Sequence, residues 1–355
     1  MKIALLNLQY DSNYGGNLQR YALMKVLQDM GHDVTHLNLR SNHIPSSKDN
    51  PTSNIFKRLY YKLHNKNEYV AQRLYEQSCK KTDSFYDRYI KHTIGIYSKE
   101  ALKPYEKRFD AFIVGSDQVW RKAYASHHGI STFFFDFLPP QSKAIKIAYG
   151  ASFGTENNEF SEEEIKELGN LYKRFNSVSV REISSLKLLE EYHWNDPRPV
   201  QVLDPTLLLD ASEYIKLTDN SDVHKSSGNL FCYILDSYKD KEEHIKSIAT
   251  RMNLTPFRVS PYCQDISVEQ WLKSFIDADY VITDSYHGIL FSIILHKPFY
   301  LFPNESRGAA RFQSLFQTIL KDVDISNIDW DIVDENIQHE RKRSFDFLMA
   351  ALSSK

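Results

Sequence analysis

The sequence predicts an α/β protein with two Rossmann-like domains that face each other across a cleft. Short β-branched and aromatic runs alternate with amphipathic segments along most of the 355 residues. This alternation is typical of βαβ units with parallel sheets. It forms two series joined near Leu207–Asn229, and the chain length fits roughly two domains of about 150 residues each. We expect an N-terminal domain over 1–210, a C-terminal domain over 211–335 and a final helix over 336–355.

The first series of elements begins at the second residue of the chain. Apolar residues recur at helical spacing over Asn17–Met30, and Gly31 ends the pattern. Ser161 is followed three residues later by Glu164, a capping box that predicts the start of another helix. The predicted strands of this series are Lys2–Leu8, Asp33–Leu37, Phe109–Val114, Ala144–Ala148 and Ser177–Val180.

The second series repeats the same alternation after residue 228. Ser267 and Gln270 form a second candidate capping box and predict a helix start. Other helices are predicted over Lys241–Arg251, from Gly288 onward and over Gln313–Leu320. The predicted strands are Asn229–Leu235, Thr255–Val259, Tyr280–Thr283 and Phe299–Phe302.

Charge and cysteine usage exclude several classes of protein. The 44 Lys+Arg against 46 Asp+Glu leave a net charge of −2, which argues against a dedicated nucleic-acid-binding protein. No stretch approaches about 18 consecutive apolar residues, so no membrane span is expected. The first residues predict a strand rather than a signal peptide. Cys79, Cys232 and Cys263 are widely spaced and form no C-x-x-C pair, so we expect no zinc site and a cytoplasmic location.

Residues 41–108 differ from the rest of the chain. They contain 14 Lys+Arg and 7 Asp+Glu, a surplus of +7, interleaved with several tyrosines and phenylalanines. One interpretation is an insertion of surface helices whose aromatic side chains pack on the domain while their charges are solvated. The other is a platform for an anionic acceptor or for the headgroups of a membrane.

The first polar motif follows the first predicted strand, and ligands of parallel sheets bind beyond the carboxyl ends of the strands. The motif contains Gly15, Gly16 and Asn17. Paired glycines let the backbone approach a ligand closely, and the helix N-terminus that follows favours an anion or sugar hydroxyls. The spacing is not G-x-G-x-x-G, and a purely structural βα turn is an equal alternative.

A second polar motif, Gly115–Trp120, follows the strand that ends at Val114. This position suits hydrogen bonding to a ligand by the side chains of Ser116, Asp117 and Gln118. Asp117 is a candidate acceptor of a hydroxyl proton, with capping of a following helix as the alternative.

Arg181 ends the strand Ser177–Val180 near the expected cleft. A guanidinium in that place suits recognition of a phosphate or a carboxylate. The alternative is an ion pair with Glu182 or a neighbouring acid.

The most informative segment is Tyr280–Gly288, an apolar strand that ends in polar residues before a helix. His287 is expected at the helix N-terminus, which lowers an imidazole pKa and leaves a group able to exchange protons near neutrality. The alternative is a purely structural histidine, but the position at a strand end favours the catalytic interpretation. The neighbouring candidate ligands are Asp284, Ser285, Tyr286 and Gly288.

Two arginines follow the strand that ends at Phe302. Arg307 and Arg311 are candidate cations for an anionic ligand. The alternative for either one is the solvated face of the helix over Gln313–Leu320.

These motifs together resemble the polysaccharide pyruvyl transferase family. The resemblance runs from residue 1 to about 312 and rests on the order of N-Y-G-G-N-L-Q-R-Y-A-L, G-S-D-Q-V-W, S-V-R-E-x-S-S, D-P-T and T-D-S-Y-H-G-I-L-F-S-I-I-L-H-K-P-F. It implies a fold similar to that of GT-B glycosyltransferases. It also implies that His287 is the acid/base and that Arg181 is a phosphoenolpyruvate ligand. Many members carry an arginine and a leucine where this chain has Ser285 and Tyr286.

The resemblance implies transfer of a pyruvyl group from phosphoenolpyruvate to a sugar diol, which forms a pyruvate ketal in bacterial cell-surface polysaccharide biosynthesis. It suggests a galactose-type acceptor, and the basic insertion is compatible with a link to undecaprenyl diphosphate and with peripheral membrane contact. We expect no metal and no cofactor beyond phosphoenolpyruvate as donor substrate. The alternatives are a glycosyltransferase that uses a nucleotide sugar and a non-catalytic carbohydrate-binding protein.

Overall fold

Two parallel β-sheets form the framework of the protein. Its computed structural model describes residues 1–40, 79–125, 128–219, 222–236, 239, 241–259, 266–302 and 309–353.

The N-terminal sheet has its core on both faces. Ile3 and Leu5 pack into one hydrophobic cluster, while Ala4 and Leu6 pack into another. Burial on both faces is typical of parallel sheets and explains the continuous apolar runs in the sequence. The strands are β1 (Lys2–Leu6), β2 (Asp33–His36), β3 (Ala111–Val114), β4 (Ile145–Ala151), β5 (Ser177–Val180) and β6 (Val200–Gln201). Their spatial order is β2-β1-β3-β4-β5-β6, with every pairing parallel.

The C-terminal sheet is smaller and is also fully parallel. Its strands are β7 (Leu230–Tyr233), β8 (Pro256–Arg258), β9 (Tyr280–Thr283) and β10 (Phe299–Leu301). The spatial order is β10-β9-β7-β8. The strands β5 and β9 coincide with the strands that the sequence predicts, and the other predicted strands are shifted by one to three residues at their ends.

Helices connect the strands, and side-chain caps fix several of their starts. In the predicted capping box, the Ser161 side chain accepts a hydrogen bond from the backbone of Glu164, and the Glu164 side chain accepts one from the backbone of Ser161. Ser267 likewise accepts a hydrogen bond from the backbone of Gln270. Ser285 caps the helix predicted from Gly288, which therefore begins two residues earlier, at Tyr286. The helices are α1 (Tyr14–Asp29), α2 (described over 79–89), α3 (Glu162–Tyr172), α4 (Ile183–Glu191), α5 (Ala211–Leu217), α6 (Glu242–Met252), α7 (Val268–Asp277), α8 (Tyr286–Ile294), α9 (Ala309–Thr318) and α10 (Trp330–Ser353).

The two halves of the molecule pack against each other through α1. The ring of Tyr14 stacks on Trp271 of α7, with centroids 5.6 Å apart. Both residues belong to one hydrophobic cluster that continues from the N-terminal sheet into the C-terminal half. The carboxyl ends of the two sheets therefore face the same space.

The last helix, α10, crosses back to the N-terminal half. Arg341 donates hydrogen bonds to the carbonyl oxygens of Leu207 and Leu209, and Ser344 accepts one from the backbone of Leu203. The helix begins at Trp330, before the predicted start at residue 336. Its contacts fix the segment that joins the two sheets.

The basic insertion is described from residue 79 onward. Phe85 and Tyr86 of α2 are fully buried, and the Tyr86 hydroxyl lies 2.6 Å from Nδ1 of His36. These aromatic residues pack on the domain, as the surface-helix interpretation expects. The residues that would test the platform interpretation, Lys57, Arg58 and Lys62, lie outside the described residues.

Two further properties concern the described ranges alone. No helix within them has the length and hydropathy to cross a membrane. The same ranges contain no group of three or more His, Cys, Asp or Glu side chains placed to hold a metal ion.

Candidate active site

A cavity of about 470 Å³ opens between the carboxyl ends of the two sheets. Segments after β1 and β3 form one wall, and segments after β7 and β9 together with α9 form the other. This volume lies within the about 300–1,000 Å³ typical of small-molecule sites. The lining residues are Leu8, Gln9, Asp11, Asn13, Gly15, Asp117, Gln118, Ala123, Tyr124, Tyr233, Leu235, Asp284, Ser285, Tyr286, His287, Arg311 and Phe312.

His287 begins the first turn of α8, and its ring packs directly on Gly15 of the opposite half. A Cβ atom at Gly15 would lie 2.2 Å from Nδ1 of His287, so this position accepts only glycine while the ring stays in place. The Nε2 atom is buried and has no hydrogen-bond partner among the described residues. Burial lowers the pKa of His287 from its usual 6.5 to about 4, although the carboxylates of Asp204 and Asp117 oppose the shift. The imidazole is therefore neutral at pH 7.

Arg181 lies behind the cavity wall. Its side chain is 2% exposed and forms ion pairs with Asp204 at 2.8 Å and with Asp117 and Glu182 at 3.5 Å. The alternative that the sequence left open, pairing with neighbouring acids, is therefore present. Direct contact between Arg181 and a donor stays a prediction.

Tyr286 is placed between two guanidinium groups. Its ring centroid lies 4.9 Å from Cζ of Arg181 and 5.2 Å from Cζ of Arg311. Arg311 of α9 lines the cavity, and burial and the neighbouring Arg181 lower its pKa. Among the described lining residues it alone is an arginine or lysine. Arg307 lies outside the described residues.

Asp117 faces the cavity from the end of β3. Its side chain is 26% exposed, and its carboxylate lies 3.5 Å from Nη2 of Arg181. The residue has a φ of 83° and pairs with Ala151 in an isolated β-bridge. Turns and the short 3-10 segment Lys122–Tyr124 follow it, so Asp117 caps no α-helix. Its carboxylate is thus available to a ligand.

Four predicted ligands support the fold and do not line the cavity. Asn17 donates hydrogen bonds to the carbonyl oxygens of Asn13 and Asp11, and Ser116 donates one to Gly150. The backbone of Gly16 donates to the Asn13 side chain, and a Cβ at Gly288 would lie 2.2 Å from Oγ1 of Thr283. At these positions local hydrogen bonds or close packing use the groups, and contact with a ligand stays a prediction.

Three other predicted ligands line the cavity but also hold the backbone. Asp284 accepts hydrogen bonds from the backbone of Leu235 and pairs with Lys241 at 2.6 Å. Ser285 caps α8 through the backbone of Gly288. The oxygen of the Gln118 side chain accepts a hydrogen bond from Arg121.

Sequence reasoning missed Asp204, which connects three parts of the site. Its buried carboxylate accepts hydrogen bonds from Gln19 of α1, from Arg181 just after β5 and from Thr206. Burial opposes its ionisation, but Arg181 and His287 keep the pKa of Asp204 below its usual value. The residue lies in the D-P-T motif just after β6, and that strand-end position was the signal that could have found it. Asp11 and Tyr124, which line the cavity, were missed as well.

A family model of polysaccharide pyruvyl transferases matches residues 13–306. The chain belongs to this family. The match spans most of the chain, confirms the family that the motifs predict and identifies the protein as a transferase. No curated protein matches the chain in sequence.

This polysaccharide pyruvyl transferase family member is similar to several solved structures. A UDP-N-acetylglucosamine 2-epimerase from Rickettsia bellii aligns with a TM-score of 0.50 at 9% identity, covering 99% of this chain and 96% of that one. A glycosyltransferase from Rickettsia africae aligns with a TM-score of 0.44 at 12% identity, covering 100% and 99%. The two parallel sheets and the likeness to the epimerase confirm the predicted GT-B-like architecture.

Proposed function

We propose that the protein transfers the pyruvyl group of phosphoenolpyruvate to two hydroxyls of a sugar, which forms a cyclic ketal and releases phosphate. One observation carries the proposal. His287 and Arg311 form one wall of a single cavity, and Asp117 and Asp11 form part of the other. This arrangement offers a proton-exchanging group and a cation opposite carboxylates that accept hydrogen bonds from hydroxyls.

Arg311 is the donor-binding cation in this proposal. Its burial and its proximity to Arg181 destabilise its charge, so an anionic ligand beside it recovers electrostatic energy. The N-terminus of α8 supplies further positive potential for a phosphate or carboxylate. Arg311 therefore takes the place of the arginine that many family members carry where this chain has Ser285.

His287 supplies the proton for the first chemical step. Burial keeps the imidazole neutral at pH 7, and a bound anionic donor raises its pKa because nearby negative charge favours the imidazolium. Protonation of the methylene carbon of phosphoenolpyruvate generates an oxocarbenium-like centre. A first sugar hydroxyl attacks this centre and gives its proton to Asp117. The bond between carbon and the phosphate oxygen then breaks, and the departing phosphate takes that proton from Asp117. The second hydroxyl attacks the resulting oxocarbenium-like centre, closes the ketal and returns its proton to His287.

Asp117 accepts the proton of the attacking hydroxyl. Its carboxylate is partly exposed to the cavity while Arg181 holds it from behind at 3.5 Å. Asp204 fixes Arg181 in turn and thereby orients Asp117 without touching the substrate. The proposal uses no metal ion and no organic cofactor, since protein side chains supply each charge that these steps need.

The experiment is to incubate the protein with phosphoenolpyruvate and candidate sugars, both free and lipid-linked, and to measure phosphate release and product mass. We expect phosphate release that depends on the acceptor and a product heavier by one pyruvyl ketal. Stabilisation by nucleotide sugars but not by phosphoenolpyruvate in thermal-shift assays would instead support the glycosyltransferase alternative. Sugar binding without any phosphate release would support the non-catalytic one.

For the acceptor we propose a galactose-type residue of a cell-surface polysaccharide intermediate. The basic insertion supports a link to undecaprenyl diphosphate and peripheral contact with the inner face of the membrane. Charge removal at Lys57, Arg58 and Lys62 tests this part. Unchanged turnover of a lipid-linked acceptor by that variant would contradict it.

A further inference from the structure

Tyr124 stands at the edge of the cavity on the N-terminal wall. Its side chain is 43% exposed, which is high for a large aromatic residue, yet it lines the same cavity as His287 and Asp117. An exposed aromatic ring that stays in one place is a surface for an apolar face of a ligand.

Neighbouring side chains hold one face of this ring. Cζ of Arg121 lies over the Tyr124 ring at 4.9 Å from its centroid. The guanidinium is fixed in turn, because Nη1 donates to the Gln118 side chain at 3.0 Å and Nε lies 3.6 Å from a Glu159 oxygen. The ring is therefore oriented before any ligand arrives, which reduces the entropic cost of binding.

The charge of this wall selects the kind of ligand. The described lining residues of the N-terminal half include Asp11 and Asp117 but no Lys or Arg. The carboxylates of such a wall accept hydrogen bonds from hydroxyls, and the nearest guanidinium groups lie behind the Tyr124 ring and behind Asp117. A neutral sugar ring combines hydroxyls at its edge with C–H groups on its face, and so it matches both the carboxylates and the tyrosine.

We infer that Tyr124, backed by Arg121, forms the acceptor subsite and binds the apolar face of a neutral hexopyranose next to Asp117. The inference rests on the proposed function for the identity of the acceptor as a sugar. It goes further by naming the residues that bind the acceptor.

The test uses methyl β-galactopyranoside as the probe, with saturation-transfer NMR and an affinity titration. For the wild-type protein we expect transfer to the ring C–H protons. Tyr124→Ala is expected to weaken glycoside binding by roughly tenfold to a hundredfold, while Tyr124→Phe stays within about twofold because the ring is retained. No transfer to the glycoside from the wild type, or equal affinity of Tyr124→Ala and wild type, would overturn the inference.

Arg121→Ala tests whether Arg121 positions the ring, and Arg108→Ala is its matched control. Arg108 covers Tyr105 in the same way, at 5.2 Å from the ring centroid, but away from the cavity. We expect weaker glycoside binding for Arg121→Ala only, and equal effects of the two variants would contradict the positioning role.

Thermal shifts with phosphoenolpyruvate separate the two proposals. If the wild type binds the glycoside through Tyr124 but never binds phosphoenolpyruvate, pyruvyl transfer is contradicted while the sugar-binding role of Tyr124 is supported.

Discussion

The two walls of the cavity follow the same structural rule but differ in the charged groups that they present. Both consist mainly of segments that leave the carboxyl ends of parallel strands. The N-terminal wall presents the carboxylates of Asp11 and Asp117, whereas the C-terminal wall presents His287 and Arg311 beside a helix N-terminus. The one carboxylate among the described residues of the C-terminal wall, Asp284, is paired with Lys241. The difference indicates that one wall is suited to hydroxyls and the other to an anion, so the reacting groups meet between the halves.

The largest expected effect comes from removing the imidazole. His287→Ala should lower kcat by about 10²–10⁴, the usual contribution of general acid–base catalysis. Phosphate release under saturating substrates measures it, and an unchanged melting temperature shows that the fold is intact. His339→Ala on the exposed surface of α10 is the control. Wild-type turnover by His287→Ala would remove this residue from the mechanism.

A single methyl group between the two walls should have the next largest effect. Gly15→Ala places a Cβ 2.2 Å from Nδ1 of His287 and displaces the ring. We expect kcat to fall by about 10², as a displacement of roughly 1 Å can cost in an active site. Gly16→Ala is the matched control, because its Cβ would meet nothing nearer than 3.5 Å. Equal activity of the two variants would show that the ring tolerates the shift.

A third pair of variants, one on each wall, distinguishes donor binding from catalysis through their effects on KM and kcat. Arg311→Ala should raise the KM for phosphoenolpyruvate by about 10–100-fold, through loss of a charge-assisted contact. Asp117→Asn should leave that KM within about twofold and lower kcat instead. Initial rates with each substrate varied in turn measure both parameters. A comparable rise of the donor KM in Asp117→Asn would contradict the division of roles.

The smallest effect concerns stability rather than turnover. The pKa of His287 is about 4 in the folded protein and near 6.5 when unfolded. Between these pH values only the unfolded chain binds the proton, so folding weakens as pH falls from 6.5 to 4. The contribution is about 3 kcal/mol. Urea unfolding of the wild type and of His287→Asn across this pH range measures it, and parallel pH dependences would contradict the low pKa.

Much of the architecture was predictable because strand runs and helix caps are local signals. The bounds of β5 and β9, the Ser161 cap and the position of His287 all follow from residues close in sequence. Placement after a strand also predicted that Asp117 and His287 would share one cavity.

The rest depends on which way side chains point and on partners distant in sequence. Arg181 pairs with Asp204 because β5 and β6 lie side by side in the sheet, and no local pattern specifies that pairing. Asn17 and Ser116 occupy the predicted loops, but their side chains turn toward nearby backbone carbonyls. No sequence motif marks Tyr124, and only the three-dimensional structure shows that it lines the cavity.

The contact between Gly15 and the His287 ring also limits how this architecture evolves by recombination. A chimera that takes one half from a relative inherits only one side of that contact. Any parent that supplies the N-terminal half must bring a glycine at position 15 if the His287 ring is to stay in place, whatever its overall similarity. Shuffled libraries built at the junction should therefore yield active members only among parents that share this pairing.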